Sequence, residues 1–281
     1  MSHYENLQVP DDVNVGKASA LGEFVKLAVV LVVFCVVLVV AVVYGMRFFA
    51  PYIPFRYEVS FAEGIAQKLD KDTPSASRQY LQNLADSLAA HMALSDGMSV
   101  TVHISSSKTP NAIATLGGHI VVTQGLLDLV DSENALAMVL AHEIGHVKHR
   151  DPIIGAGSAV VVSIVMGMIF GSTDSSIISD TSSLLAQLSF SRSQENAADQ
   201  AALDALSLHY GHTHGAETFF KKILERYQDD DALSEFLASH PSTSKRLARI
   251  EITHAGNSNK SLTPLPDFIQ RSADSSDEES E

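Results

Sequence analysis

His142, Glu143 and His146 stand in the spacing His-Glu-Ile-Gly-His. The apolar residues around them, Leu136, Val139, Leu140, Ile144 and Val147, recur with a helical period. Residues four apart share one face of a helix, so His142 and His146 present two imidazoles about one turn apart. Glu143 lies roughly 100° round the helix from His142 and can reach the same site without being a ligand. Two neutral imidazoles, a third protein donor and a water make a catalytic zinc site. The metal lowers the pKa of that water, and the glutamate accepts its proton as it attacks a peptide carbonyl. Without a metal, an apolar helix would bury these groups unpaired, at a real cost. The reading therefore needs a third ligand elsewhere in the chain.

Glu195 and Asp199 are four apart in an Ala-rich stretch, 191–206, that is strongly helical. One carboxylate can bind zinc while the other accepts the free N–H of a ligand histidine. The flanking alanines suggest close packing. His149 follows His146 by three residues, but the glycine and later histidine of a metzincin are missing, so it is not read as a ligand. His209, His212 and His214 read as a polar loop.

The elements that must position these groups are an α+β, mainly helical set. Met98–Ile104 alternates at period two and reads as a strand. Asn111–Thr123 reads as two strands around Gly117-Gly118. A small antiparallel sheet beside the zinc helix has a chemical use, because an edge strand can hold a peptide by main-chain hydrogen bonds. Residues 59–70 and 75–93 read as helices, the second with Leu81, Leu84, Leu88 and Met92 as its apolar stripe. A short helix spans 124–130. Ser132 is the expected N-cap of the zinc helix, which ends near Asp151-Pro152. Residues 215–228 form a helix with Phe219, Phe220, Ile223 and Leu224 on its core side.

The 281 residues carry a formal net charge of −14, which argues against nucleic acid as a partner. Cys35 is the only cysteine, so disulfides and a Cys-based zinc site are excluded. Leu27–Met46 is an uncharged run of 20 residues, dominated by Val and Leu, long enough to cross a bilayer. Tyr44, Phe48, Phe49, Tyr52 and Phe55 crowd one end of it like an interfacial belt. The run is too long for a usual signal-peptide core, and no small-x-small site follows it, so it reads as an uncleaved anchor. Lys17 and Lys26 on one side balance Arg47 and Arg56 on the other. Orientation then rests on the tendency of a first membrane segment to export a large domain that follows it. The expected division is a disordered head over 1–26, a transmembrane anchor over 27–46, a peptidase domain over 57–254 and a disordered acidic tail over 255–281.

Four motifs occur in order: Asn111-Ala112 with Gly117-Gly118; His142 to His146; Ser191-Arg192 with Glu195 and Asp199; and His240-Pro241 with Arg246. Together they resemble the M48 peptidase family, relatives of the bacterial heat-shock membrane protease and of the CAAX prenyl protease. The resemblance implies a zincin-like fold of the gluzincin type. It implies His142, His146 and Glu195 on one Zn²⁺, Glu143 as base, and Asp199 orienting a ligand histidine. It also puts Asn111 and Ala112 on the substrate strand, with His240 and Arg246 near the active site to steady the oxyanion. The chain departs from multi-span relatives in having one clear membrane segment, and no helical-repeat domain follows residue 254.

The function expected is a membrane-anchored zinc endopeptidase that degrades unfolded or mislocalised proteins. Its expected place is a bacterial inner membrane, with the peptidase on the periplasmic side. Polypeptide substrates and membrane lipid are its partners; the sequence yields no oligomeric state. One alternative is a non-proteolytic membrane-anchored chaperone or scaffold that keeps a zinc site, for which Glu143 has no use. A zinc hydrolase of small peptides is another, and it needs a closed pocket. Ile153–Phe170 is uncharged, yet the ligands before and after it must meet within about 2 Å of one ion. It is therefore expected not to cross the membrane, and to form one arm of a helical hairpin packed on the catalytic helices.

Overall fold

The computed structural model describes residues 19–69, 75–170, 190–226, 236, 239–240, 243–254 and 260–270. Helix α1, Ala20–Phe49, has 30 residues and buries none of them. Ser19 caps its start by accepting from Gly22 N at 3.0 Å. At about 1.5 Å per residue it is roughly 45 Å long, more than a hydrocarbon core requires. It begins inside the stretch expected to be a disordered head, because a good N-cap lets the helix start before the apolar run does. The first 18 residues lie outside the described ones.

A 3₁₀ turn, Ala50–Tyr52, leads into α2, Phe55–Leu69. Helix α3, Ser75–Ala90, buries Leu81, Leu84 and Leu88, the expected stripe. Three strands follow: β1, Thr101–Ser105; β2, Ala112–Ala114; and β3, His119–Thr123. The sheet order is β1-β3-β2. Strands β2 and β3 are antiparallel, but β1 is parallel to β3, pairing Thr101 with His119 and Ser105 with Thr123. The sheet is therefore mixed, not antiparallel. Alternation identifies a strand but carries no direction, and the β1–β2 connection takes the chain across to the far side of β3. The turn between β2 and β3 has Gly117 and Gly118 at φ 73° and 77°. A Cβ on Gly118 would sit 2.0 Å from the Ser99 carbonyl oxygen, so both conformation and space demand glycine there.

Helix α4, Gln124–Leu129, leads to α5, Glu133–Lys148, capped by Ser132. Every residue of α5 from Asn134 to Val147 is buried. Helix α6, Asp151–Phe170, begins after a sharp turn at Arg150, which adopts φ 62°. Arg150 is held there by Glu58 at 2.6 Å and by the Ile53 carbonyl at 2.9 Å.

The partner of α6 differs from the one expected. Arg150 meets Ile53, and Gly157 comes so close to Met46 that a Cβ would lie 2.6 Å from its methyl carbon. Helix α6 thus runs antiparallel to α1 and packs mainly beside it, meeting the catalytic helix α5 at its first turn, where Asp151 faces His146. The other arm of the expected hairpin lies outside the described residues. Glycine at 157 permits the close approach.

Helix α7, Arg192–Tyr210, starts with a capping box between Ser191 and Gln194 and ends at Gly211 in the left-handed conformation. Helix α8, Thr218–Arg226, turns Phe219, Phe220 and Ile223 into the core. Helix α9, Thr243–His254, buries Arg246 and Ile250. Residues 260–270, expected in the disordered tail, pack on the domain and end in α10, Asp267–Gln270. Thr263 N donates to Asn134 Oδ1 at 2.8 Å, its carbonyl accepts from Glu133 N at 2.9 Å, and Ile269 is fully buried. Leu262, Leu265 and Ile269 are there to signal packing, but Pro264 and Pro266 between them break any regular period. Residues 255–259 and 271–281 of that tail lie outside the described ones.

Candidate active site

Helices α5 and α7 bring the ligand candidates together because two small residues face each other. A Cβ on Gly145 would lie 2.9 Å from Ala198 Cα. The helices therefore approach almost backbone to backbone, which delivers Glu195 and Asp199 to the face carrying His142 and His146. His142 Nε2 and His146 Nε2 are 3.1 Å apart. Glu195 Oε1 is 3.3 Å from His146 Nε2, and its Oε2 is 3.6 Å from His142 Nε2.

The outer nitrogens of both rings are taken. His142 Nδ1 is 3.0 Å from Asp199 Oδ1, and His146 Nδ1 is 2.9 Å from Asp151 Oδ2. When the rings are neutral and each carboxylate holds a proton on Nδ1, the Nε2 lone pairs converge on one point beside the Glu195 carboxylate. Arg246 already brings one cation to the rim of this donor set, with Nη1 2.5 Å from Glu195 Oε2 and Nη2 3.2 Å from His142 Nε2. Two imidazole nitrogens and a carboxylate are the protein donors of a catalytic zinc site. This donor set fits Zn²⁺. His240 extends it: His142, His146, Glu195 and His240 each offer one ligand atom, all within 4.8 Å of one another and all buried. Among the described residues, His149, His209, His212 and His214 are not part of that group.

Electrostatics follows from the same contacts. Burial pushes the His146 imidazole down, but its hydrogen bonds to Asp151 and Glu195 win and raise its pKa to about 9. Burial pushes Glu195 up, and its bonds to His142, His146 and His240 more than reverse this, leaving it far below the usual carboxylate range. Asp199 is likewise held low against burial by His142 and Arg246.

Glu143 turns the other way, towards the sheet. Its Oε2 accepts from Ala114 N at 2.7 Å, and its Oε1 is 3.5 Å from His240 Nε2. Asn111 O and Thr115 N pair with β3, at 3.0 Å and 2.7 Å. The backbone groups of Ala112 and Ala114 thus point outward from the β2 edge. His240 Nε2 lies 3.3 Å from Ala112 O on that edge. Arg246 does not face the edge. It grips Asp199 through Nη2 at 2.7 Å and Nε at 3.0 Å, meets Glu195 at 2.5 Å, and packs over the Phe220 ring. A cavity of about 10 Å³, room for one water, lies between His142, Glu143, His240, Arg246 and Phe219, Phe220 and Phe236.

Several contributors escaped the sequence reading: Asp151 on His146, Arg249 on Asp199 at 2.6 Å, and Phe190 stacked on the His146 ring with centroids 3.9 Å apart. None of them has a local spacing signal.

A mainly helical domain with a small mixed sheet and an intact His-His-Glu cluster defines a zincin-type metallopeptidase. The chain belongs to Peptidase family M48, which matches it over residues 75–254. A Protease HtpX homolog from Campylobacter hominis is 26% identical over 256 residues, which covers 76% of this chain and 87% of the relative. The mitochondrial metalloendopeptidase OMA1 of Schizosaccharomyces pombe is 27% identical over 198 residues, 68% of this chain and 58% of its own length. The beta-barrel assembly-enhancing protease of Escherichia coli is 28% identical over 177 residues, 54% of this chain and 36% of its own length. The chain thus spans only part of these last two relatives.

Proposed function

We propose that this protein is a membrane-anchored zinc endopeptidase that cleaves extended segments of unfolded or mislocalised polypeptides. The observation that carries this reading is the contact of Glu143 with the free edge of β2, opposite the His142–His146–Glu195 cluster. A scaffold with a structural metal has no use for a carboxylate in that place. His142, His146 and Glu195 would hold the metal, which supplies a Lewis acid for the scissile carbonyl and for water.

The protein's own residues do the rest. An extended peptide adds to the β2 edge by pairing with the backbone groups of Ala112 and Ala114. In doing so it takes Ala114 N from Glu143 and Ala112 O from His240, so substrate binding frees both side chains. Glu143 then accepts a proton from water and passes it to the leaving amine. His240, released from Ala112 O, turns Nε2 to the developing oxyanion. Arg246 serves the ligands, clamping Asp199 and Glu195 so that the donors stay converged.

The apolar α1 is assigned as an uncleaved anchor, with the peptidase domain on the periplasmic side of a bacterial inner membrane. The names of the relatives, which are proteases and metalloendopeptidases, support the activity. The test is casein cleavage by full-length protein in vesicles. Cleavage should stop with a chelator and return with zinc. Cleavage that survives complete metal removal overturns the reading.

A further inference from the structure

Asp151 has no part in holding the metal, yet both its oxygens are committed. Oδ2 faces His146 Nδ1 at 2.9 Å, and Oδ1 accepts from Gln194 Nε2 at 2.6 Å. The other end of that amide, Gln194 Oε1, accepts from Ser191 N at 2.9 Å, from Ser191 Oγ at 2.7 Å and from Arg47 Nη2 at 3.3 Å. Arg47 Nη2 also donates to Ser191 Oγ at 2.8 Å. Arg47 lies in the last turn of α1. An unbroken run of hydrogen bonds therefore joins the end of the apolar helix to a histidine of the metal cluster.

The chemistry of Gln194 makes the run directional. Its nitrogen faces a carboxylate and its oxygen faces three donors, so only one amide orientation satisfies every contact. Asp151 is buried, and a buried carboxylate needs both its partners. Asp151 also begins α6, just past the strained turn at Arg150, and α6 runs beside α1. The pose of the His146 ring is thus set by three elements at once: α5 that carries it, α6 that carries Asp151, and α7 that carries Gln194. Arg47 ties the third of these to α1.

We propose that Asp151 and Gln194 are positioning residues for His146, and that Arg47 couples the metal site through them to the seating of α1. The proposal rests on the zinc peptidase reading. It makes the site sensitive to the membrane: a shift of α1 loosens Gln194, then Asp151, then the His146 ring. The plainer role for Ser191 and Gln194 is a capping box that stabilises the start of α7 and nothing more.

Gln194→Glu separates the two. Glutamate serves a capping box as well as glutamine, and a negative charge suits a helix N-terminus. It cannot donate to Asp151, and it sets a second carboxylate against it. Full-length protein is reconstituted in phosphatidylcholine–phosphatidylglycerol vesicles. Zinc affinity is read by competition with a chromophoric chelator, and thermal unfolding is read without metal. Asp151→Asn and Gln194→Glu should each lower zinc affinity by about 10–100-fold, whereas a capping role alone leaves zinc affinity at the wild-type value. Metal-free Gln194→Glu still unfolds cooperatively, at a temperature lowered by the carboxylate set against buried Asp151. Arg47 is exposed, so Arg47→Gln should cost less, about two- to fivefold. Moving wild type from vesicles into detergent should reproduce that loss, and should add nothing in Arg47→Gln. Wild-type zinc affinity in both Asp151→Asn and Gln194→Glu overturns the positioning role. Wild-type affinity in Arg47→Gln overturns the coupling to α1. A wild-type protein that binds no zinc at all would instead overturn the metallopeptidase reading.

Discussion

Glu143 Oε2 accepts a hydrogen bond from the backbone N–H of Ala114 at 2.7 Å. The carboxylate assigned as base is thereby docked on the strand edge assigned to substrate. Glutamine at 143 keeps an acceptor for that N–H but cannot take a proton. Glu143→Gln should therefore retain one zinc per chain and lose about 10²–10⁴-fold in kcat. Metal analysis and a casein assay on one preparation check both halves. Wild-type cleavage by this variant would falsify the assignment of the base.

Arg246 is the cation shared by Asp199 and Glu195, and it is nearly fully buried. Its removal takes the guanidinium from buried Glu195 and leaves Asp199 with the Arg249 guanidinium alone, at 2.6 Å. Arg246→Ala should destabilise the metal-free protein by about 3–5 kcal/mol. Arg246→Lys should recover part of that, since it restores charge but not the bidentate grip on Asp199. Urea unfolding in a chelator measures both. A loss below about 1 kcal/mol in Arg246→Ala would mean that the clamp contributes nothing beyond a surface pair.

The His146 pKa, raised to about 9, makes two slopes run in opposite directions. A group whose folded pKa lies above its unfolded value, about 6.5, stabilises the fold below that value. The stabilisation is lost as pH rises through about 9. Metal-free protein should therefore melt at progressively lower temperature between pH 6.5 and 9. Zinc needs the neutral ring, so zinc affinity should climb over the same interval. Glu195 and Asp199, with lowered pKa values, stay ionised throughout it and leave both slopes unchanged. Calorimetry at several pH values, with and without zinc, tests this; a metal-free melting temperature that rises from pH 6.5 to 9 contradicts it.

The sequence contains no tryptophan, so one introduced indole is a clean reporter. Phe34 is exposed in the middle of α1, and Leu208 is exposed on α7. In vesicles containing brominated lipid, Phe34→Trp should be strongly quenched and Leu208→Trp should not. An unquenched Phe34→Trp removes the anchor assignment without touching the metal site.

Within single elements, the sequence by itself determined a great deal. The spacing of His142 and His146, and of Glu195 and Asp199, puts each pair on one helical face, because residues four apart are neighbours through local geometry alone. The length and apolarity of Leu27–Met46 likewise make α1 a helix fit to cross a bilayer. What the tertiary structure decided is how those faces meet. The direction of β1 was invisible, because a period of two is the same read either way. Gly145 reads as a filler residue until Ala198 is found against it. Asp151, five residues past His146, would lie about 140° away on a continuous helix. Only the left-handed turn at Arg150, held by Glu58 and the Ile53 carbonyl, returns it to the ring. Arg246 and Arg47 act across distances in sequence that no periodicity spans. Local pattern selects the elements and the faces that carry chemistry. The partners of each buried charge are selected by packing, which depends on every element at once.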